Sequence, residues 1–206
     1  LVFYRPLTTS PLALNTNDWI DGGWKALPAY RDDLEARHLH PLDLQWGGEL
    51  QAIATYLKSH GWRSAKSADA HSMLTIFNTD ADIQEIPVLP QVHQGETQRL
   101  LLVRDLEEDS RLLALRLWGT EYRISDQNVP LWVGNVSYLS IDARLRLLRF
   151  LRTGADFSGA LELFTENISH VDVHRVQRNI LGVADNLMTW DGQVLLISFP
   201  TAEQNR

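Results

Sequence analysis

His170, Asp172 and His174 are spaced as H-x-D-x-H, and Arg104 and Arg116 stand in apolar runs close to Trp118 and Trp132. If residues 170–174 are extended, the two histidines and the aspartate point to one side of a strand, a geometry suited to zinc or iron. Asp172 can instead cap a helix running to Ile180, in which case the three diverge and bind nothing. The sequence nominates no further ligand to complete a metal site. Arg104 and Arg116 belong to strands expected to pair. Their guanidinium forks can grip a phosphate or carboxylate while Trp118 or Trp132 stacks on a ring or acyl group. The competing and favoured reading packs each Arg stem across the sheet and pairs its head with Asp105, Glu121 or a backbone carbonyl. His38-x-His40 has no acidic partner at a set spacing and reads as a surface pair. Glu107-Glu108-Asp109 reads as a solvated turn.

Several reactions are excluded by what is missing. There is no Gly-x-Ser-x-Gly elbow, no Gly-x-x-x-x-Gly-Lys phosphate loop, no His-Glu-x-x-His and no Gly-x-Gly-x-x-Gly after a strand. The chain has no cysteine, which removes disulfides, thiol catalysis and Cys-ligated zinc. No cofactor is expected. A net charge of −7 argues against nucleic acid as a partner, because such binding needs a basic face that displaces phosphate counterions. The same charge discourages tight docking on anionic lipid. Only Lys25, Lys58 and Lys66 are lysines; every other fixed cation is arginine, whose planar fork suits an anion pocket despite the acidic balance.

The elements that must position these groups follow from periodicity. With 206 residues, 44% of them apolar, the chain can bury a core as one domain. Leu42, Leu44 and Trp46 alternate with polar residues and predict a strand, turned by Gly47-Gly48. Leu50, Ile53, Ala54 and Leu57 predict a helix that Gly61 stops. A second helix is predicted from Asp69 through Phe77. The middle is read as β: Leu100 to Leu106, Arg111 to Ile124 and Leu131 to Ile141, with Arg144 and Arg146 continuing an alternation. Phe157, Leu161, Phe164 and Ile168 have helical spacing, and so do Val173, Val176 and Ile180. Trp190-Asp191-Gly192-Gln193 is a turn signal before a closing strand from Val194 to Phe199. The expected fold is α+β, a largely antiparallel sheet with helices packed on one face, in a single domain. Residues 1–30 are read as a post-membrane linker and aromatic loop, 31–200 as the domain and 201–206 as a polar tail.

No run approaches the ~20 apolar residues of a membrane helix. Leu-Val-Phe-Tyr-Arg-Pro at the start nonetheless reads as the polar exit of an apolar segment, so a membrane span is expected to precede it. Only Arg5 is basic before Lys25, which lacks the enrichment expected on the cytoplasmic side and favours an extracytoplasmic, membrane-tethered domain.

Leu101-Leu102-Val103-Arg104-Asp105, Leu115-Arg116-Leu117-Trp118 and Pro130-Leu131-Trp132-Val133-Gly134, with Gln45-Trp46-Gly47-Gly48 and Gly61-Trp62 upstream, resemble the LssY C-terminal domain. The resemblance covers Leu42 to Ile141 best. It implies a soluble module fused behind the membrane-spanning part of bacterial lipid-phosphatase-like or DedA-like proteins, that part being its first partner. Three functions are in view. The leading one is a non-catalytic accessory domain binding an anionic lipid headgroup, a glycan or a partner protein, favoured by seven tryptophans. The alternatives are a hydrolase of phosphate-bearing lipid or polysaccharide precursors, with Arg104, Arg116 and the His170 cluster converging, and a structural or oligomerisation module.

Overall fold

The computed structural model describes residues 11–33, 35, 38–66, 82–106, 110–142, 149–180 and 189–200. The expected helix from Asp69, the Glu107 to Asp109 turn, the Arg144 and Arg146 alternation and the 201–206 tail lie outside the described residues.

In chain order the strands are β1 (Leu12–Leu14), β2 (Tyr30–Asp32), β3 (His38–Pro41), β4 (Leu44–Gly47), β5 (Arg63–Ser64), β6 (Val92–His93), β7 (Glu96–Thr97), β8 (Leu100–Leu106), β9 (Arg111–Ile124), β10 (Val129–Asp142), β11 (Phe150–Thr153), β12 (Asp172–Gln177) and β13 (Gln193–Ser198). The α-helices are α1 (Thr16–Asp21), α2 (Leu50–Ser59) and α3 (Phe157–Glu166). One large sheet runs β12-β13-β4-β10-β9-β8-β5, with β1 added to β9 and β11 to β10. Most neighbours are antiparallel, but β13 pairs β4 and β1 pairs β9 in parallel, so the sheet is mixed. Sheet dominates over helix, which makes the architecture more β-rich than the expected α+β layering.

The two 14-residue strands β9 and β10 form its spine. On one face Leu113, Leu115 and Leu117 of β9, Val136 of β10, Leu44 and Trp46 of β4, and Leu195 and Ile197 of β13 make a continuous apolar layer. Helices α2 and α3 close it with Ile53, Leu57, Ala160, Leu161 and Phe164. Both helices form where the i, i+3, i+4 stripe predicts. The Asp156 carboxylate caps α3 by accepting from the Gly159 N–H at 2.9 Å. Gly61, at φ +83°, takes the left-handed turn after α2 that a Cβ would disfavour.

Val88 packs on one part of the opposite face against Val103, Leu112, Ala114 and Leu139, and another part is covered by the chain's first described segment. Its expected aromatic loop is partly helical, in α1 and a 3-10 turn at Gly23–Ala26. Trp19, Trp24, Leu27 and Leu42 pack there against Trp118, Leu131, Val133, Val194 and Leu196. Gln45 pins the cover, accepting the Trp19 indole N–H at 2.8 Å and donating to the Trp24 carbonyl at 2.9 Å.

The helix predicted on Val173, Val176 and Ile180 is corrected. Asp172–Gln177 is strand β12, paired with β13 from Asp172↔Ser198 to Gln177↔Gln193. Its β-branched valines are half-buried against the cores, and pairing across the sheet decides over a spacing that fits a helix equally well. Among the described residues, no helix is long and apolar enough to cross a membrane.

Candidate anion-binding site

Register separates the two arginines singled out by sequence. In the β8–β9 pair Arg104 faces Leu113 and Arg116 faces Leu101, so the two side chains lie on opposite faces of the sheet. Arg104 is on the helix side at the rim, beside Gly61, Leu163 and Asn167. Neighbouring Asp105 is taken by Arg63, through a two-pronged ion pair at 2.7 and 3.0 Å. Trp118 lies on Arg116's face and is buried to 1% exposure. Trp132 packs on the helix side and donates its indole N–H to the Gly48 carbonyl at 2.8 Å. Six of the seven tryptophans are core residues, so their number is not a sign of a binding surface.

The H-x-D-x-H groups do not converge either. His170 sits before β12 at φ +59°, and Asp172 and His174 are exposed on the sheet's end strand. Among the described residues no three His, Asp or Glu side chains are grouped to hold a metal ion.

What the fold does assemble is a buried polar patch around Arg116, on the face away from α2 and α3. Arg116 pairs with Asn135 across β9 and β10, and Asp43, preceding β4, lies next along the same line. Asn135 donates to the Pro41 carbonyl at 3.3 Å, and the Asp43 carboxyl accepts from the Val136 N–H at 3.2 Å. Above them stand Arg31 of β2, His40 of β3, and His93 of β6. The β6–β7 hairpin turns through Gln94 and Gly95, at φ +50° and +81°, and is clipped to β2. Arg31 donates to the Val92 carbonyl at 2.6 Å, and the Asp32 N–H donates to His93 Nδ1 at 3.1 Å. His93 therefore carries its proton on Nε2 when neutral.

Arg116 is 1% exposed, and among the described residues its side chain donates to a neutral group, Ser137 Oγ, at 3.3 Å. Among the described residues its Nε has no partner; nor do Arg31 Nε, Trp118 Nε1, His40 Nδ1 or Asn135 Oδ1. Burial, and then the like charge of Arg31, lower the Arg116 guanidinium to about 10, so it is still a cation at neutral pH. Burial, followed by the charges of Arg31 and Arg116, pushes His40 down to about 4, with only the Gln91 side chain working the other way. His40 is thus neutral and inward, against Phe157, and not the surface residue the sequence suggests. Burial raises the Asp43 carboxyl well above its ordinary value, the Val136 N–H working the other way. Arg31 is better balanced, since Asp33 and Asp32 act on it, although burial still lowers it.

Of this patch the sequence singled out Arg116 as a candidate site residue, and His40 only as half of a surface pair. The available signal was a polar residue inside an apolar run: Asp43 in Pro41-Leu42-Asp43-Leu44 and Asn135 in Val133-Gly134-Asn135-Val136. Arg31 and His93 gave none, because short strands and a hairpin bring them in from elsewhere in the chain.

A cleft of about 540 Å³ opens beside the patch, between residues 26–28, the β6–β7 hairpin and the Gly119 to Tyr122 part of β9. His93 belongs to both, lining the cleft while its ring meets Trp118 edge to face at 6.0 Å.

A family model described as LssY C-terminus matches residues 24–154, a stretch that holds the whole patch and excludes His170, Asp172 and His174. No curated protein and no solved structure gives a match.

Proposed function

The chain belongs to the LssY C-terminus family, and from that premise we propose that it is a non-catalytic domain that binds an anion at Arg116 and Arg31. The observation that carries this reading is the charge on Arg116. A buried guanidinium normally stands against a carboxylate, because an uncompensated buried ion is penalised by several kcal/mol. Among the described residues no acid acts on Arg116; the charge that does is another arginine. Among the described residues Arg116 Nε, Arg31 Nε and Trp118 Nε1 are buried donors without a partner, and a phosphate or carboxylate is the group that supplies acceptors and counter-charge to such donors. Among the described residues no nucleophile with an orienting base stands in the patch, which favours binding over reaction. The membrane-spanning part of such proteins would be the domain's covalent partner, and an anionic headgroup its nearest ligand.

The test is calorimetric titration of the domain with inorganic phosphate, compared with Arg116→Met. Saturable binding with a raised melting temperature is expected for the parent, and its loss is expected in a variant that melts no lower. Equal behaviour of the two proteins would sink the anion site.

A further inference from the structure

The patch is shut under the β6–β7 hairpin, and we infer that this hairpin is its gate, latched to β2 by the His93 imidazole and released when that imidazole takes up a proton. The inference rests on the anion-binding reading above and adds how the site is reached and regulated.

Arg116 and Arg31 are 1% and 4% exposed, so an anion reaches them only when a cover moves. The hairpin touches the patch through the Val92 carbonyl, which accepts from Arg31 at 2.6 Å, and through the His93 ring, which meets Trp118 at 6.0 Å. It is lightly anchored. β6 and β7 have two residues each and form a sheet of their own, and a lone two-stranded hairpin is marginal in water. Of residues 92–97 only His93 is buried, and Gln94 to Thr97 are exposed. The base is fixed, because the Gln91 N–H donates to the Gln98 side chain at 2.6 Å and the Gln98 N–H to the Gln91 carbonyl at 3.2 Å.

Beside the Arg31 contact, closure turns on two backbone donors: the Asp32 N–H gives to His93 Nδ1 at 3.1 Å, and the Gln94 N–H to the Asp32 carbonyl at 3.3 Å. Only the first can titrate. Once Nδ1 carries a proton it has no lone pair for the Asp32 N–H, and two donors face each other. Burial, the largest cause, lowers the His93 pKa; Asp32 then raises it and Arg31 lowers it. The open hairpin therefore takes up the proton more readily than the closed one. Closure is fully present above the ordinary 6.5 and weakens as pH falls. Around the ring, Glu96, Arg99, Glu121 and Tyr122 lie on the cleft side, Glu96 and Arg99 being paired, while Asp33 follows β2 and Arg116 and His40 stand in the patch. A charge on His93 beside Arg31 and Arg116 adds repulsion that an incoming anion removes, and opening frees the Arg31 group now held by Val92.

Amide hydrogen exchange of the 206-residue chain without any anion, at about pH 7.5 and about pH 5.5 and corrected for the intrinsic chemical rate, tests the gate by itself. Residues 92–98 are expected to exchange about fivefold or more faster, relative to β10, at the lower pH, as loss of one hydrogen bond implies. His93→Asn keeps an acceptor without the titration and should remove the pH dependence. His93→Ala should exchange fast at both values, and the dependence should survive in His40→Gln, the other histidine of the patch. Equal exchange of the parent at both values, or loosening of β9 and β10 together with the hairpin, overturns the gate. Stopped-flow mixing with sulfate, whose charge is constant over this range, then reads access through tryptophan fluorescence. Faster association at the lower pH in the parent, and fast association at both in His93→Ala, supports the gate. Association that ignores pH in the parent overturns the gate and leaves the anion site standing, whereas no sulfate binding at either pH overturns the anion site and the gate with it.

Discussion

The two faces of the central sheet are built on opposite terms. The face under α2 and α3 is an apolar layer in which Trp46, Trp62 and Phe164 meet edge to face and, among the described residues, no charged side chain is buried. The other face has an apolar half under Trp19 and Trp24, then a patch holding Arg31, Asp43, Arg116, Asn135 and Ser137 out of water. A sheet that needed only stability would fill both faces alike, since well-packed apolar residues match or exceed a buried charge. The contrast therefore assigns stability to the helix face and recognition to the patch, and each assignment can be broken separately.

The largest effect is expected on the helix face. Phe164→Ala removes a fully buried ring that touches both Trp46 and Trp62, and should cost about 3–5 kcal/mol in urea denaturation. Phosphate affinity should be unchanged wherever the variant is folded. Coupled loss of the two would deny that the faces are separable.

His40 gives a pH-dependent contrast of somewhat smaller size. Its folded value near 4, against an ordinary 6.5, means the unfolded chain takes up the proton first. The stability at stake is fully present above about pH 6.5 and is lost as pH falls toward 4, on the order of 3 kcal/mol for such a shift. Asp43 has the opposite sign, because burial raises its carboxyl and the stability it contributes is lost as pH rises above 3.8. It cannot mimic the acid loss. His40→Gln should flatten the decline between pH 6.5 and 4 in chemical denaturation; an unchanged slope would show that His40 is solvated.

How much of this was legible follows from what periodicity can and cannot carry. Leu44 and Trp46, Ile53 and Leu57, and Phe157, Leu161 and Phe164 each announce a strand or helix, because one buried side repeats with the element's own period. Val173 and Val176 fit helix and strand alike, and only the pairing with β13 chooses between them. Arg104 and Arg116 share the difficulty in sharper form. Both strands were visible, but the register pairs Arg104 with Leu113 and Leu101 with Arg116, and a slip of one residue would have placed the two arginines on one face. That register depends on the turn and on long-range packing, neither of which is written locally. The patch was less legible still, since Arg31, His40 and His93 come from three short strands with no shared spacing.

The smallest effects concern the arginines themselves, and their signs separate the faces most cleanly. Arg116→Met replaces an uncompensated buried cation with an apolar chain of similar length, and is expected to leave stability unchanged or raise it by about 1–3 kcal/mol while phosphate binding disappears. Arg63→Met is the control. Arg63 has its own carboxylate, Asp105, at 2.7 Å, and both side chains are 36% exposed, so solvent screens a pair that is otherwise well aligned. Its loss should lower stability by less than about 1 kcal/mol and leave phosphate binding intact. A paired arginine that weakens the fold when removed, beside an unpaired one that does not, is the outcome a ligand-binding patch requires. If Arg116→Met instead unfolds the protein, then Arg116 holds the sheet together, and the difference between the two faces is one of packing alone.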